Sequence, residues 1–131
     1  MPDKAYSHMP GSKPLVFVGS SKKALIQFPR EVMRVMGHAL NHAQAGGKHP
    51  DAKALKGFSG ASVLEIVEDY DGNTYRAVYT VRLAGVVYVL HAFQKKSKRG
   101  IGTPKHEMDL IRTRLKEAEG LHAARTKGGT A

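Results

Sequence analysis

The residues best equipped for chemistry fall in one stretch, V-L-H-A-F-Q-K-K-S-K-R-G, Val89 to Gly100. His91, Phe93 and Lys95 stand at alternate positions, and Lys96, Lys98 and Arg99 follow at once. A histidine can move a proton near neutral pH. A lysine or arginine can hold a phosphate and neutralise its charge. An aromatic ring gives an unpaired base a surface to stack on. Together these are the functions needed to cut RNA at its own 2′-hydroxyl. A base removes the hydroxyl proton, cations stabilise the five-coordinate phosphorane, and an acid protonates the departing 5′-oxygen. That chemistry calls for no metal or other cofactor.

Such a set works only if the fold brings it to one surface. Side chains alternate across a strand. In T-Y-R-A-V-Y-T-V-R the pattern puts Arg76, Val78, Thr80 and Arg82 on one face and Tyr75, Ala77, Tyr79 and Val81 on the other. In V-V-Y-V-L-H-A-F-Q-K it puts Val87, Val89, His91, Phe93 and Lys95 together, opposite Tyr88, Leu90 and Ala92. If the two strands align, Arg76, His91, Phe93 and Lys95 meet. The catalytic candidates are therefore Arg76, His91 and Lys95. Arg82, Phe93, Lys96, Lys98 and Arg99 are the candidates for holding RNA.

Each of these residues also has a plainer reading. His91 suits a hydrogen-bonded strand histidine and Phe93 a core residue. Arg76 can pair with Glu65 or Glu68 across a sheet. His38 and His42 have metal-ligand spacing, i and i+4, but the sequence shows no clear third ligand. Glu107 and Asp109 fit the start of a helix, where carboxylates balance the dipole.

The charge pattern favours a polyanionic partner. The 131-residue chain carries a formal net charge of +10. Between Lys95 and Lys116 eight lysines and arginines face two acids, which accounts for six of those ten charges. The acids gather elsewhere, at Glu65, Glu68, Asp69 and Asp71. That asymmetry marks a directed electrostatic surface, as for nucleic acid, an acidic membrane or an acidic protein. With no cysteine, disulfides and thiolate chemistry are excluded. No apolar run reaches transmembrane length, and the first thirteen residues lack a secretory core. A cytoplasmic location is expected.

The elements expected around the site are few. Leu15–Val18 reads as an edge strand. Ser20 or Ser21 can cap a short helix through Gln27, and Pro29 suits the first turn of a second helix. Val32, Met36, Ala39 or Leu40, and Ala43 recur at helical spacing until Gly46 and Gly47 end it. Residues 48–60 read as a loop. Three strands follow, near 61–68, 74–82 and 86–95, with turns at Asp71-Gly72-Asn73 and Ala84-Gly85. Thr103 and Pro104 open a closing helix to about Ala118, with Met108, Ile111, Leu115 and Ala118 on one face. The fold class is α+β: an N-terminal helical hairpin packed on a small curved antiparallel sheet, with a C-terminal helix. Residues 1–13 read as a disordered leader, 14–119 as one domain and 120–131 as a flexible tail.

The runs Y-R-A-V-Y-T-V-R, V-Y-V-L-H-A-F-Q-K-K-S-K-R-G and T-P-K-H-E-M-D-L-I-R-T-R-L, with L-K-G-F upstream, carry a resemblance. They resemble the RelE/ParE toxin superfamily, in particular the HigB-like, phage-derived branch of type II toxin–antitoxin systems. The resemblance covers residues 13–119. It implies a RelE-like fold and a ribosome-dependent endoribonuclease that cuts messenger RNA. The ParE-like relatives inhibit gyrase instead, and a basic RNA-binding module without catalysis is a further alternative. The partners implied are a cognate helix-turn-helix antitoxin, the ribosome and messenger RNA. By position, Arg76 matches the strand arginine at the scissile phosphate. Lys95 or Lys96 matches a second phosphate cation, and Lys56 lies in a loop that often supplies basic residues. Beyond the last strand, where RelE-like enzymes commonly carry a tyrosine or histidine, this chain has His106 and His122 and no tyrosine.

Overall fold

The computed structural model describes residues 12–59, 62–95 and 102–129. The elements run β1 (Leu15–Phe17), α1 (Ser21–Leu25), α2 (Arg30–Gln44), β2 (Ala52–Ala54), β3 (Val63–Tyr70), β4 (Asn73–Thr80), β5 (Val87–Lys95) and α3 (Lys105–Gly129). The five strands form one sheet in the order β1-β5-β4-β3-β2. Three are the expected meander. The hairpin between β3 and β4 turns at Asp71 and Gly72, both at positive φ (51° and 83°), as a two-residue turn between twisted strands requires.

Two strand features depart from expectation. The sheet is mixed, because β1 pairs parallel with β5. The stretch 48–60, expected as a loop, contains β2, which pairs antiparallel with β3. Three residues, A-K-A, are too short to show an alternation in sequence. Their position is set by the free edge of β3.

The helices cover both faces of the sheet. On one side α1 and α2 enclose Leu25, Phe28, Val32, Met36, Leu40 and Ala43 against Leu64, Ile66, Tyr75, Tyr79, Val87 and Val89. On the other, Ile111, Leu115 and Ala118 of α3 pack against Val63, Val78, Tyr88, Leu90 and Phe93. Fully burying a large apolar side chain is worth about 1.5–3 kcal/mol, so Ile111 and Leu115 anchor α3 while the hairpin, with more such residues, is held more firmly.

The N-terminal helices are fixed by different contacts from those expected. Ser20 stands at the N-cap of α1 without capping it. Its Oγ instead accepts a hydrogen bond from Arg114 Nη2 at 2.9 Å. Ser21 Oγ donates to the Val89 carbonyl at 3.0 Å, tying α1 to β5. α2 ends where Gly46, at φ 92°, lets its own N–H and that of Gly47 reach back to the Ala43 and His42 carbonyls.

α3 continues past the expected stop near Ala118, to Gly129. The added turns are anchored. His122 Nδ1 lies 2.9 Å from the Tyr88 hydroxyl, and Glu119 lies 3.4 Å from Arg82. Ala118, Ala123 and Ala124 supply helix propensity around Gly120.

Candidate active site on the α3 face of the sheet

The β4–β5 register builds the centre of the site. Thr74 stands opposite Lys95, Arg76 opposite Phe93, and Val78 opposite His91. A bulge then intervenes at Val78/Tyr79. Tyr79 pairs with Val89, so Leu90 is the extra residue. An extra residue inverts the alternation on the bulged strand. Val87 and Val89 therefore face α1 and α2, while Tyr88 and Leu90 share the α3 side with His91 and Phe93. The expectation that Val87 and Val89 lie with His91 is corrected by this bulge. Strand β4 has no bulge of its own, and Arg76 and Val78 keep one face as expected.

Arg76 is largely buried and ion-paired. Its Nη1 lies 2.7 Å from Glu65 Oε1 on β3, with side-chain exposures of 11% and 8%. The same nitrogen reaches Thr103 Oγ1, just before α3, at 3.5 Å. Lys95 Nζ donates to the Gly102 carbonyl at 2.9 Å. Desolvation first, and then the neighbouring Arg76, push the Lys95 ammonium below its ordinary pKa, while Glu65 acts the other way. Lys95, Arg76 and Glu65 thus form one electrostatic group at one end of the sheet.

His91 is held from α3. Its Nε2 lies 2.6 Å from Glu107 Oε1, and its Nδ1 lies 3.4 Å from Arg114 Nη1. Its ring stacks on Phe93, with centroids 4.9 Å apart and planes inclined by 24°. Burial lowers its pKa; Glu107 opposes that fall, and Arg114 and His106 add to it. A neutral imidazole donating from Nε2 to Glu107 and presenting its Nδ1 lone pair to Arg114 fits both contacts. Arg114 also donates to the Leu90 carbonyl at 3.1 Å, directly at the bulge.

The other expected residues lie apart from this centre. Arg82 lies two residues beyond the end of β4, about 20 Å of extended chain from Arg76, and makes an exposed pair with Glu119. Lys56 is exposed in the turn after β2. Leu55 N–H bonds to the Val63 carbonyl, which puts that turn at the first residue of β3, four residues from Val67, the partner of Arg76. The neighbouring Phe58 ring receives Arg112 of α3 at 5.4 Å. Lys96, Lys98 and Arg99 fall outside the described residues. His42 Nδ1 is turned to the His38 carbonyl, 3.0 Å away.

Sequence reading missed Glu107, Arg114 and Thr103 as members of the site, whereas the Arg76–Glu65 pair is one of the two pairings its plainer reading offered. Glu107 does more than balance its helix start, since it bonds His91. A signal was present: Glu107, Ile111, Arg114 and Ala118 follow one another at i, i+4, i+7 and i+11, the spacing of a single helix face. The two charges therefore had to share the face of Ile111 and Ala118.

With that geometry in place, comparison with known proteins locates the chain. A mutant of the Escherichia coli toxin RelE in the free state is similar to it, with a TM-score of 0.52 and 16% identity, covering 81% of this chain and 97% of that one. The fold is RelE-like. The toxin–antitoxin complex RelBE2 of Mycobacterium tuberculosis also aligns, with a TM-score of 0.39 and 16% identity over 66% of this chain and 94% of that one. No curated protein matches. Residues 23–116 match the model of the family described as phage derived protein Gp49-like (DUF891), well over half of the chain, and the chain belongs to that family.

Proposed function

We propose that this chain is the toxin of a toxin–antitoxin pair and that it cleaves messenger RNA on the ribosome, in the cytoplasm. The observation that carries the reading is the convergence of Arg76, His91, Phe93 and Lys95 on neighbouring positions of β4 and β5. Family membership and the RelE-like fold support it. In this reading the 2′-hydroxyl oxygen attacks the adjacent phosphorus. The bond to the 5′-oxygen breaks, leaving a 2′,3′-cyclic phosphate and a free 5′-hydroxyl. Arg76 and Lys95 hold the phosphate and stabilise its transition-state charge. Lys56, Arg82, Lys96, Lys98 and Arg99 guide RNA towards that pair. Phe93 supports the His91 ring and offers an edge to a base. A helix-turn-helix antitoxin is the expected partner that keeps the toxin silent.

His91 has a second reading, favoured by its contacts. In the first, its lowered pKa keeps the imidazole neutral near pH 7, and it accepts the 2′-hydroxyl proton. In the second, it locks β5 to α3, since Glu107 and Arg114 occupy both of its ring nitrogens.

The test is brief induction in cells followed by mapping of RNA ends, with Lys95→Ala as the control variant. New ends within translated messages that vanish in folded Lys95→Ala support the nuclease. Intact messages with altered DNA supercoiling would instead indicate a gyrase-directed toxin. His91→Gln, measured by single-turnover cleavage beside a thermal melt, separates the two roles of the histidine. A loss of about 100- to 10,000-fold in rate with an unchanged melt assigns proton transfer. A lowered melt with normal turnover assigns the lock.

A further inference from the structure

A second surface lies on the opposite side of the sheet. Between α2, the end of α1 and strand β1 runs an open groove of about 620 Å³. Its floor is apolar: Leu15 and Phe17 from β1, Leu25 at the end of α1 and Ile26 just after it, and Met33 and Leu40 from α2. Ile26 is 55% exposed, unusual for a large apolar side chain beside other half-buried ones. α2 lines the groove from Arg30 through Arg34, Gly37 and Asn41 to Gln44. At 1.5 Å per residue that side of α2 is about 21 Å long.

The rim carries a single sign of charge. Lys22, Arg30 and Arg34 border the groove, and no carboxylate lines it. None of the three pairs with a carboxylate among the described residues. Arg30 and Arg34 are one turn apart, about 6 Å along the helix axis. Gly37 stands midway along α2, and a Cβ built on it meets nothing within 4 Å. A neighbouring backbone can therefore come close there.

We infer that this groove is a docking site for an amphipathic helix of a partner protein, one with an apolar stripe and carboxylates on one flank. The length argues for a helix: a partner of about four turns would match α2, with apolar anchors at i, i+3, i+4 and i+7. Carboxylates spaced four apart on that helix would meet Arg30 and Arg34 together. The β1 edge is less suited to adding a strand. Val87 N–H bonds to the Pro14 carbonyl and Val18 N–H to the Val89 carbonyl, so only Leu15 and Phe17 turn their backbone groups outward. A small ligand is disfavoured too, because the cations are strung along one rim and do not converge on a point. The inference rests on the groove and stands apart from the nuclease reading. If the chain is a toxin, this is where its neutralising partner would be seated, on the face away from Arg76 and Lys95.

The test uses three synthetic peptides and fluorescence anisotropy. One is an acidic amphipathic helix with leucines at the stripe positions, one has lysines in place of its glutamates, and one is a scrambled acidic control. The acidic amphipath should bind at least tenfold more tightly than either control and gain helicity by circular dichroism on binding. Gly37→Leu changes no charge, fills open space and should weaken binding at least tenfold in a folded protein. The double variant Arg30→Glu, Arg34→Glu should reverse the preference towards the lysine peptide. Equal binding of the scrambled peptide, no binding of the acidic amphipath, or binding unaffected by Gly37→Leu would each overturn the proposal. So would a bound peptide that is extended, or self-association of the protein alone that Gly37→Leu abolishes, since a second copy would then be the occupant.

Discussion

Arg76 has to serve two neighbours. It neutralises the buried carboxylate of Glu65, and in the proposed reaction it holds a phosphate. Arg76→Ala should therefore destabilise the fold by about 3 kcal/mol, because it leaves Glu65 buried without its ion pair. Adding Glu65→Gln to the same chain should recover much of that loss, as urea unfolding will read. If the double variant recovers its stability but remains non-toxic, the phosphate role is isolated from the structural one.

Two other residues set opposing pH dependences. The folded-state pKa of His91 is lowered, so below about 6.5 the unfolded chain binds the extra proton, and stability falls as the pH drops further. Glu68 is raised to about 7 by burial and by the carboxyl of Asp51, with Asp69 contributing. Here the folded chain binds the extra proton between about pH 4.5 and 7, so stability rises as the pH falls through that window. Thermal melts from pH 8 to 5 should separate them. His91→Gln should leave a protein that gains stability on mild acidification, and Glu68→Gln one that only loses it. Melts of identical pH dependence in both variants would refute the assignment.

At the scale of elements, the bulge in β5 decides how the site is arranged. By inverting the alternation after Val89, it gives α1 and α2 two valines and gives α3 the run Leu90, His91 and Phe93. Arg114 braces the bulge through the Leu90 carbonyl. α3 is in turn fastened further along by the buried Tyr88 hydroxyl and His122. Tyr88→Phe should cost about 1 kcal/mol, the usual net value of one hydrogen bond. Leu115→Ala should cost about 2–4 kcal/mol, as a truncated side chain in a packed layer does. Denaturant midpoints at constant slope measure both. If Tyr88→Phe cost nothing, the last turns of α3 would be held by the Arg82–Glu119 pair and helix propensity without help from His122.

For the molecule as a whole, the dominant property is its charge of +10. Binding to RNA or to ribosomes should follow counterion release, with the logarithm of affinity falling linearly against the logarithm of salt concentration. Lys95→Ala should lower that slope by about one phosphate contact, while Lys22→Ala, on the opposite face, should leave it nearly unchanged. A filter-binding series between 50 and 200 mM salt, a range over which such contacts change affinity strongly, reads the difference. Equal slopes for the two variants would place the RNA on another surface. The described helices include none long and apolar enough to cross a membrane.

The sequence by itself determined the parts that depend on local periodicity and turn chemistry. The helical face of Val32, Met36, Leu40 and Ala43, the Asp71-Gly72 turn and the three-strand meander could be read because each repeats a pattern within a few residues. The register that sets Arg76 opposite Phe93 was left open by the sequence and is fixed by the bulge, since the Tyr79–Val89 register continued without it would put Arg76 opposite Ala92. Tertiary structure decided the rest. Strand β2 exists because β3 has an edge to pair with, and β1 can run parallel to β5 since enough chain separates them for a crossover. The bulge at Leu90 has no signature in V-Y-V-L-H-A-F; it emerges when β5 must satisfy helices on both of its faces. The Arg76–Glu65 pair was one of two cross-sheet pairings the sequence offered, and the spacing of α3 put Glu107 on its packed face. That Glu107 meets His91, 16 positions away, follows from how α3 lies across the sheet, which spacing along the chain does not encode.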